Sequence, residues 1–171
     1  MTGVLKFAAL VCFSLLLVLA CDTSLPTGPS ESIYADIIFR SRQCRAVTPE
    51  PALEVVRSQQ QLDLLVRELD RHTLGVTPGS YAVDFNSLNV LVLELGYWPT
   101  AGYSFSLNDG SIRVESNEAF LVVQWDEPPG DSMQAQVTIS PCVIFTLPKG
   151  AYSRVTVDFR NKNSRLSVPL K

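Results

Sequence analysis

The chain of 171 residues holds a single histidine, His72, and four cysteines. One imidazole cannot build a histidine-rich metal centre. HExxH, CxxC, Walker-type and GxGxxG patterns are all missing, which removes the metalloprotease, dithiol, nucleotide-cradling and dinucleotide readings. Ser104 follows Gly-Tyr and sits in no GxSxG elbow. No Lys/Arg run interleaved with aromatics occurs, and the formal net charge is −3. Nucleic-acid binding therefore lacks its electrostatic footprint. A carboxylate pair is one catalytic arrangement that composition leaves. Asp84, Glu94, Asp126 and Glu127 lie near predicted strand ends, where solvated turn residues are the plainer reading.

What is present begins at the N-terminus. Lys6 supplies a positive start, and Phe7 to Leu19 is uncharged and apolar. That run is short for a membrane span and fits a signal sequence. It ends in Val18-Leu19-Ala20-Cys21. An aliphatic residue three before a cysteine and a small one directly before it form a bacterial lipobox, although Leu19 departs from the usual small residue. The cysteine thiol is alkylated by a lipid before cleavage, and several acyl chains together give a stable anchor. Residues 1–20 are thus expected to be a lipoprotein signal peptide, with Cys21 lipidated. A plain signal peptide or an uncleaved anchor is the alternative. Residues 21–32 are rich in Pro, Ser, Thr and Gly and read as a flexible tether. The expected location is the bacterial cell envelope, facing the periplasm or cell surface. No other apolar run is long enough to cross a bilayer.

Cys12 lies within the signal, so Cys44 and Cys142 are the remaining thiols. In an oxidising compartment they most simply form one disulfide. Two separately buried thiols, or a catalytic cysteine paired with His72, are the other readings.

Residues 33–171 read as a single β-rich domain. Tyr34 to Phe39 and Leu53 to Arg57 predict short strands. Ser58 opens the one convincing helix, about residues 59–72, with Gln61 completing a capping box. Leu62, Leu65, Val66 and Leu69 form its apolar face, and Gly75 and Pro78 close it. Beyond Tyr81 the period becomes that of strands. Asn89 to Gly96 is a continuous apolar run. Gly102 to Leu107 alternates, and Asn108-Asp109-Gly110 predicts a turn into a hairpin with Ile112 to Glu115. Phe120 to Trp125, Ala135 to Ser140, Val143 to Leu147 and Arg154 to Phe159 follow. Proline and glycine turns separate them. The expected fold is mainly β: an antiparallel sandwich or partly open barrel, with the helix covering an end or an edge.

The segment Gly96-Tyr97-Trp98-Pro99-Thr100-Ala101-Gly102-Tyr103 joins two apolar strands. Tyr and Trp give contact area at low entropic cost. A rigid aromatic loop on a β scaffold is a common recognition edge. Two readings stand on the residues alone. The loop is either a protein-binding surface with Trp98 and Tyr103 as anchors, or a hairpin whose aromatics merely cover the core.

Val83-Asp84-Phe85, Gly96, Pro99 to Ser104, Pro128-Pro129-Gly130, Pro141 and Leu147-Pro148-Lys149 carry a family resemblance. In order and spacing, residues 83–149 resemble the C-terminal domain of PrcB-like protease complex subunits. Ala101 stands where that family prefers glycine, and Cys142 where an aromatic is common. The resemblance implies a lipid-anchored accessory subunit of a surface protease complex, without catalytic residues, metal or cofactor. Pro99 to Tyr103 is also similar to a loop of chagasin-type cysteine protease inhibitors, which are β-sandwiches, with Trp98 in place of their Asn. In those proteins the loop enters the protease cleft. The expected partners are thus the membrane, through the lipid, and another envelope protein of which a protease is the leading kind. The rival functions are an envelope hydrolase using a carboxylate pair and a passive structural lipoprotein.

Overall fold

The computed structural model describes residues 31–44, 48–70 and 81–171. The signal peptide, Cys21 and nearly all of the tether lie outside the described residues. So do His72 and the expected helix stop at Gly75 and Pro78.

The elements in chain order are β1 (Glu31–Tyr34), β2 (Asp36–Ser41), β3 (Ala52–Val56), α1 (Gln59–Asp70), β4 (Leu88–Glu94), β5 (Ser104–Glu115), β6 (Glu118–Asp126), β7 (Cys142–Pro148), β8 (Arg154–Phe159) and β9 (Ser164–Pro169). They form a five-stranded sheet, ordered β1-β5-β6-β8-β9, and a four-stranded sheet, ordered β2-β7-β4-β3. Neighbours are antiparallel except β6 and β8. The mainly β sandwich expected from the strand pattern is what the chain adopts. The run Tyr34 to Phe39 divides at Ala35, so that β1 joins one sheet and β2 the other.

Two apolar clusters hold the layers. The larger lies between the sheets. Leu91, Leu93, Val143, Phe145 and Leu147 face Ile112, Leu121, Val123, Val155, Val157 and Phe159 across it. The smaller lies on the other face of the four-stranded sheet, where Val90, Val92 and Ile144 meet Leu62, Leu65, Val66 and Leu69 of α1. Burying each such helix side chain stabilises by about 1.5–3 kcal/mol. The helix therefore covers a sheet face, not the end or edge expected. This also explains the apolar run in β4. A strand buried on both faces has no wet side to alternate with. β6 has one, and alternates half-buried with buried residues.

The helix cap follows its predicted chemistry with one change. Gln61 N–H donates to Ser58 Oγ at 3.2 Å. The Gln61 side chain then accepts from Arg57 N–H at 2.8 Å, one residue before the cap.

Two further expectations are corrected. Asn108-Asp109-Gly110 is not a hairpin turn. It lies inside β5, where the pairing with β6 shifts register between Leu107 and Ile112. The hairpin turn is Ser116-Asn117, with φ of 49° and 67°. Both central residues are left-handed there, as a tight two-residue turn needs to match strand twist. Residues tolerant of positive φ serve a bulge as well as a turn, and pairing of Ile112 and Val114 with β6 decided between them. Ala135 to Ser140 forms no strand either. Only Ile139 and Ser140 make isolated bridges. Val137 N–H donates back to Ala135 C=O at 2.9 Å, and this three-residue turn bends the chain out of any ladder.

Candidate functional site: an aromatic loop held by a strap

The loop after β4 is shaped by contacts distant in sequence. Leu95 N–H donates to Pro141 C=O at 2.9 Å, and Tyr97 N–H donates to Thr48 C=O at 2.9 Å. Gly96 between them has φ +80°, and a Cβ there would sit 2.3 Å from the Pro49 carbonyl oxygen. Only glycine accepts both the left-handed backbone and that approach. Gly102 has φ +104°, and a Cβ there would meet Gln134 Oε1 at 2.6 Å and Pro128 Cβ at 2.8 Å. Trp98 and Ile139 exchange backbone hydrogen bonds of 2.7 and 2.9 Å, and Ala101 N–H reaches Ala135 C=O at 3.0 Å. Residues 128–139 thus act as a strap against the loop. Sequence reasoning missed the hydrogen-bonded part of this strap, Ala135 to Ile139, because it read that stretch as a strand.

The rings continue the anchorage inward. The Trp98 indole stacks on Tyr103 with centroids 4.3 Å apart and planes at 20°. Its other contact is edge-to-face with Trp125 at 5.4 Å, and Trp125 meets Phe159 at 5.5 Å. Trp98 Nε1 donates to Leu95 C=O at 3.2 Å. Asn161 braces Trp125 by accepting from its N–H at 3.2 Å and donating to its C=O at 2.6 Å. Trp125 Nε1 is buried with no partner among the described residues, a cost of about 1–3 kcal/mol that the ring packing offsets.

Of the expected loop residues, Trp98, Thr100 and Tyr103 are half-buried, Pro99 and Gly102 exposed, and Gly96 buried. Trp98 packs against the central cluster yet keeps part of its surface in solvent. The two readings of the loop therefore describe two sides of one ring stack. Tyr97, 42 % exposed, adds a ring that the sequence reading did not single out. Met133 and Val137 of the strap are also exposed. Beside the loop lies a recess of about 80 Å³ lined by Arg42, Ala101, Gly102, Tyr103, Ser104 and Ile139.

Cys44 and Cys142 are bonded, with Cα atoms 5.9 Å apart. A bonded pair holds no thiolate nucleophile, so the catalytic-cysteine reading falls. The bond sits at the root of the strap. Cys44 N–H donates to Ser140 C=O at 2.8 Å, and Ser140 Oγ donates to Cys44 C=O at 2.5 Å.

The carboxylates go to different places. Asp84 closes a turn before β4, accepting from Asn86 N–H at 2.9 Å and Ser87 Oγ at 2.7 Å. The Ser87 hydrogen bond, then the Asn86 amide, holds its pKa below the usual value of 3.8. Glu94 ends β4, about 20 Å further along the strand. Strand alternation places Glu94 with Val90 and Val92 on the helix side of its sheet. It places Asp126 with Gln124 on the outer side of the other sheet. Glu127 pairs with Lys162. Among the described residues no three His, Cys, Asp or Glu side chains group as metal ligands.

No family model, curated protein or solved structure matches the chain.

Proposed function

We infer that the chain is a lipid-anchored, extracytoplasmic, non-catalytic module that binds another envelope protein through Gly96–Tyr103. The observation carrying this reading is the Trp98–Tyr103 stack, held by a backbone pinned at Thr48, Ala135 and Ile139, with Tyr97 and Pro99 exposed beside it. A surface shaped before contact loses little conformational entropy on binding. Half-buried aromatics at its centre are the usual source of interface energy. A tether at Cys21 raises the effective concentration of the module near partners in the same membrane. The likeness to PrcB-like subunits supplies the partner class, a protease complex that this chain assists or modulates.

The test uses the full-length chain in cells, with crosslinking and partner capture. Trp98→Ala with Tyr103→Ala should reduce capture about tenfold or more, the loss of one interfacial anchor. Because Trp98 also packs the core, Tyr97→Ala is the second variant. Its ring is exposed, so it should weaken capture at unchanged thermal stability. Wild-type capture by both variants overturns the loop assignment. Cys21→Ser should leave the membrane fraction, and its retention there overturns the anchor.

A further inference from the structure

The pairing of β1 with β5 stops early. β1 covers only Ser111 to Val114 and then crosses at Ala35 to become β2 of the other sheet. Ser104 to Leu107 pair with β6 on one side, and among the described residues no strand pairs on the other. Such an edge leaves every other N–H and C=O turned outward, a template for one more strand. Sheet edges are ordinarily blunted by lysine, proline or charge on the edge strand itself. Ser104-Phe105-Ser106-Leu107 carries none.

Among the described residues the outer edge of β2 is open as well, since β2 pairs there only with β7. The two open edges line one groove of about 290 Å³, with Arg40, Ser41 and Arg42 on one wall and Ser104, Phe105 and Ser106 on the other. Arg42 and Ser104 also line the recess beside the aromatic loop, so groove and loop are continuous. Both guanidinium groups are exposed, and neither has an ion-pair partner among the described residues. Among the described residues lining the groove, Asp126 is the one acidic residue. The groove thus carries an excess of positive charge in a chain whose formal net charge is −3.

We propose that Ser104–Leu107 takes an extended, acidic segment of the partner protein as an added strand, with Arg40 and Arg42 receiving its carboxylates. Backbone pairing supplies the binding mode and the arginines the selectivity. The proposal rests on the protein-binding reading and names the kind of segment bound.

The probe is a fluorescein-labelled hexapeptide of alternating Glu and Val, titrated by anisotropy into the full-length chain in detergent micelles. It should bind, weaken with salt, and outcompete a Lys–Val hexapeptide. An N-methylated Glu–Val peptide, which keeps its charges but cannot pair as a strand, should not bind. Arg40→Ala with Arg42→Ala should weaken binding tenfold or more, at a melting temperature unchanged by these exposed substitutions. Equal binding of the Lys–Val or N-methylated peptide, or no binding of the Glu–Val peptide, overturns the proposal. So does sedimentation showing the edge occupied by a second copy of the chain. Partner capture separates this idea from the loop reading. Capture that survives the arginine changes but not the loop changes removes the groove alone, and the reverse pattern removes the loop alone.

Discussion

Reducing the Cys44–Cys142 bond should destabilise the domain while leaving every side chain of the core in the sequence. The bond joins residues separated by 98 positions. For a loop of ~100 residues the chain-entropy estimate at 25 °C is about 4.7 kcal/mol, and native disulfides typically contribute about 2–4 kcal/mol. An unfolding entropy of about 2.1 cal/mol/K per residue gives a domain of roughly 140 residues about 0.3 kcal/mol per degree. A loss of about 2–4 kcal/mol then lowers the melting temperature by roughly 7–14 °C.

The assay compares the oxidised chain with the same chain reduced in denaturant and refolded under reductant. Wild-type sequence is kept, so no cavity complicates the comparison. Reduction in denaturant is required because Cys44 and Cys142 are both buried. Non-reducing peptide mapping should first show the two cysteine peptides joined. Separate peptides in protein exported to an oxidising compartment refute the bond. A melting temperature unchanged within about 2 °C on full reduction refutes the entropic reasoning, which requires a shift of several degrees.

Gly96→Ala should destabilise by about 1–3 kcal/mol from backbone strain alone, with a further cost because Pro49 must move. Urea denaturation measures it, with Gly130→Ala as the control where a Cβ meets nothing within 4 Å. Equal midpoints for the two variants would refute the account of the loop. The Asp84 carboxyl titrates below its free value of 3.8 because Ser87 and the Asn86 amide stabilise the charged form. A depressed folded pKa adds stability above the unfolded pKa, and that stability is lost as pH falls through the folded one. Ser87→Ala should raise the Asp84 pKa toward 3.8, read by NMR titration of its side chain. An unmoved titration would mean that the hydroxyl is not the cause.

Periodicity made the sandwich legible. Alternation in Gly102 to Leu107, the capping residue Ser58 and the apolar face of α1 are local signals, and each survives into the structure. The errors fall where a local signal had two uses. Asn108-Asp109-Gly110 suits a bulge as well as a turn, while Ser116-Asn117 carries a weaker turn signature yet makes the hairpin. The aromatic loop was legible as composition but not as geometry. Its shape depends on Thr48, Pro49, Gln134 and Ile139, which no spacing within residues 96–103 reveals. The open edge of β5 was invisible for the same reason. It exists because β1 leaves the sheet at Ala35, a property of topology and not of any residue in Ser104–Leu107.

The disulfide, the strap and the loop are mechanically one unit, which changes what the bond is for. Ile139 pairs with Trp98, Ser140 grips Cys44, the Pro141 carbonyl receives Leu95 N–H, and Cys142 carries the bond. Consecutive residues therefore tie the cross-link to both the start and the middle of the aromatic loop. A bond that only raised global stability could sit anywhere that closes a long loop. Placed here, it holds the segment after β2 against the start of β7, beside the groove that Arg42 and Ser104 line. The bond and the two candidate recognition features share one frame. Local opening of the strap should expose loop and groove together, at a lower free energy than global unfolding.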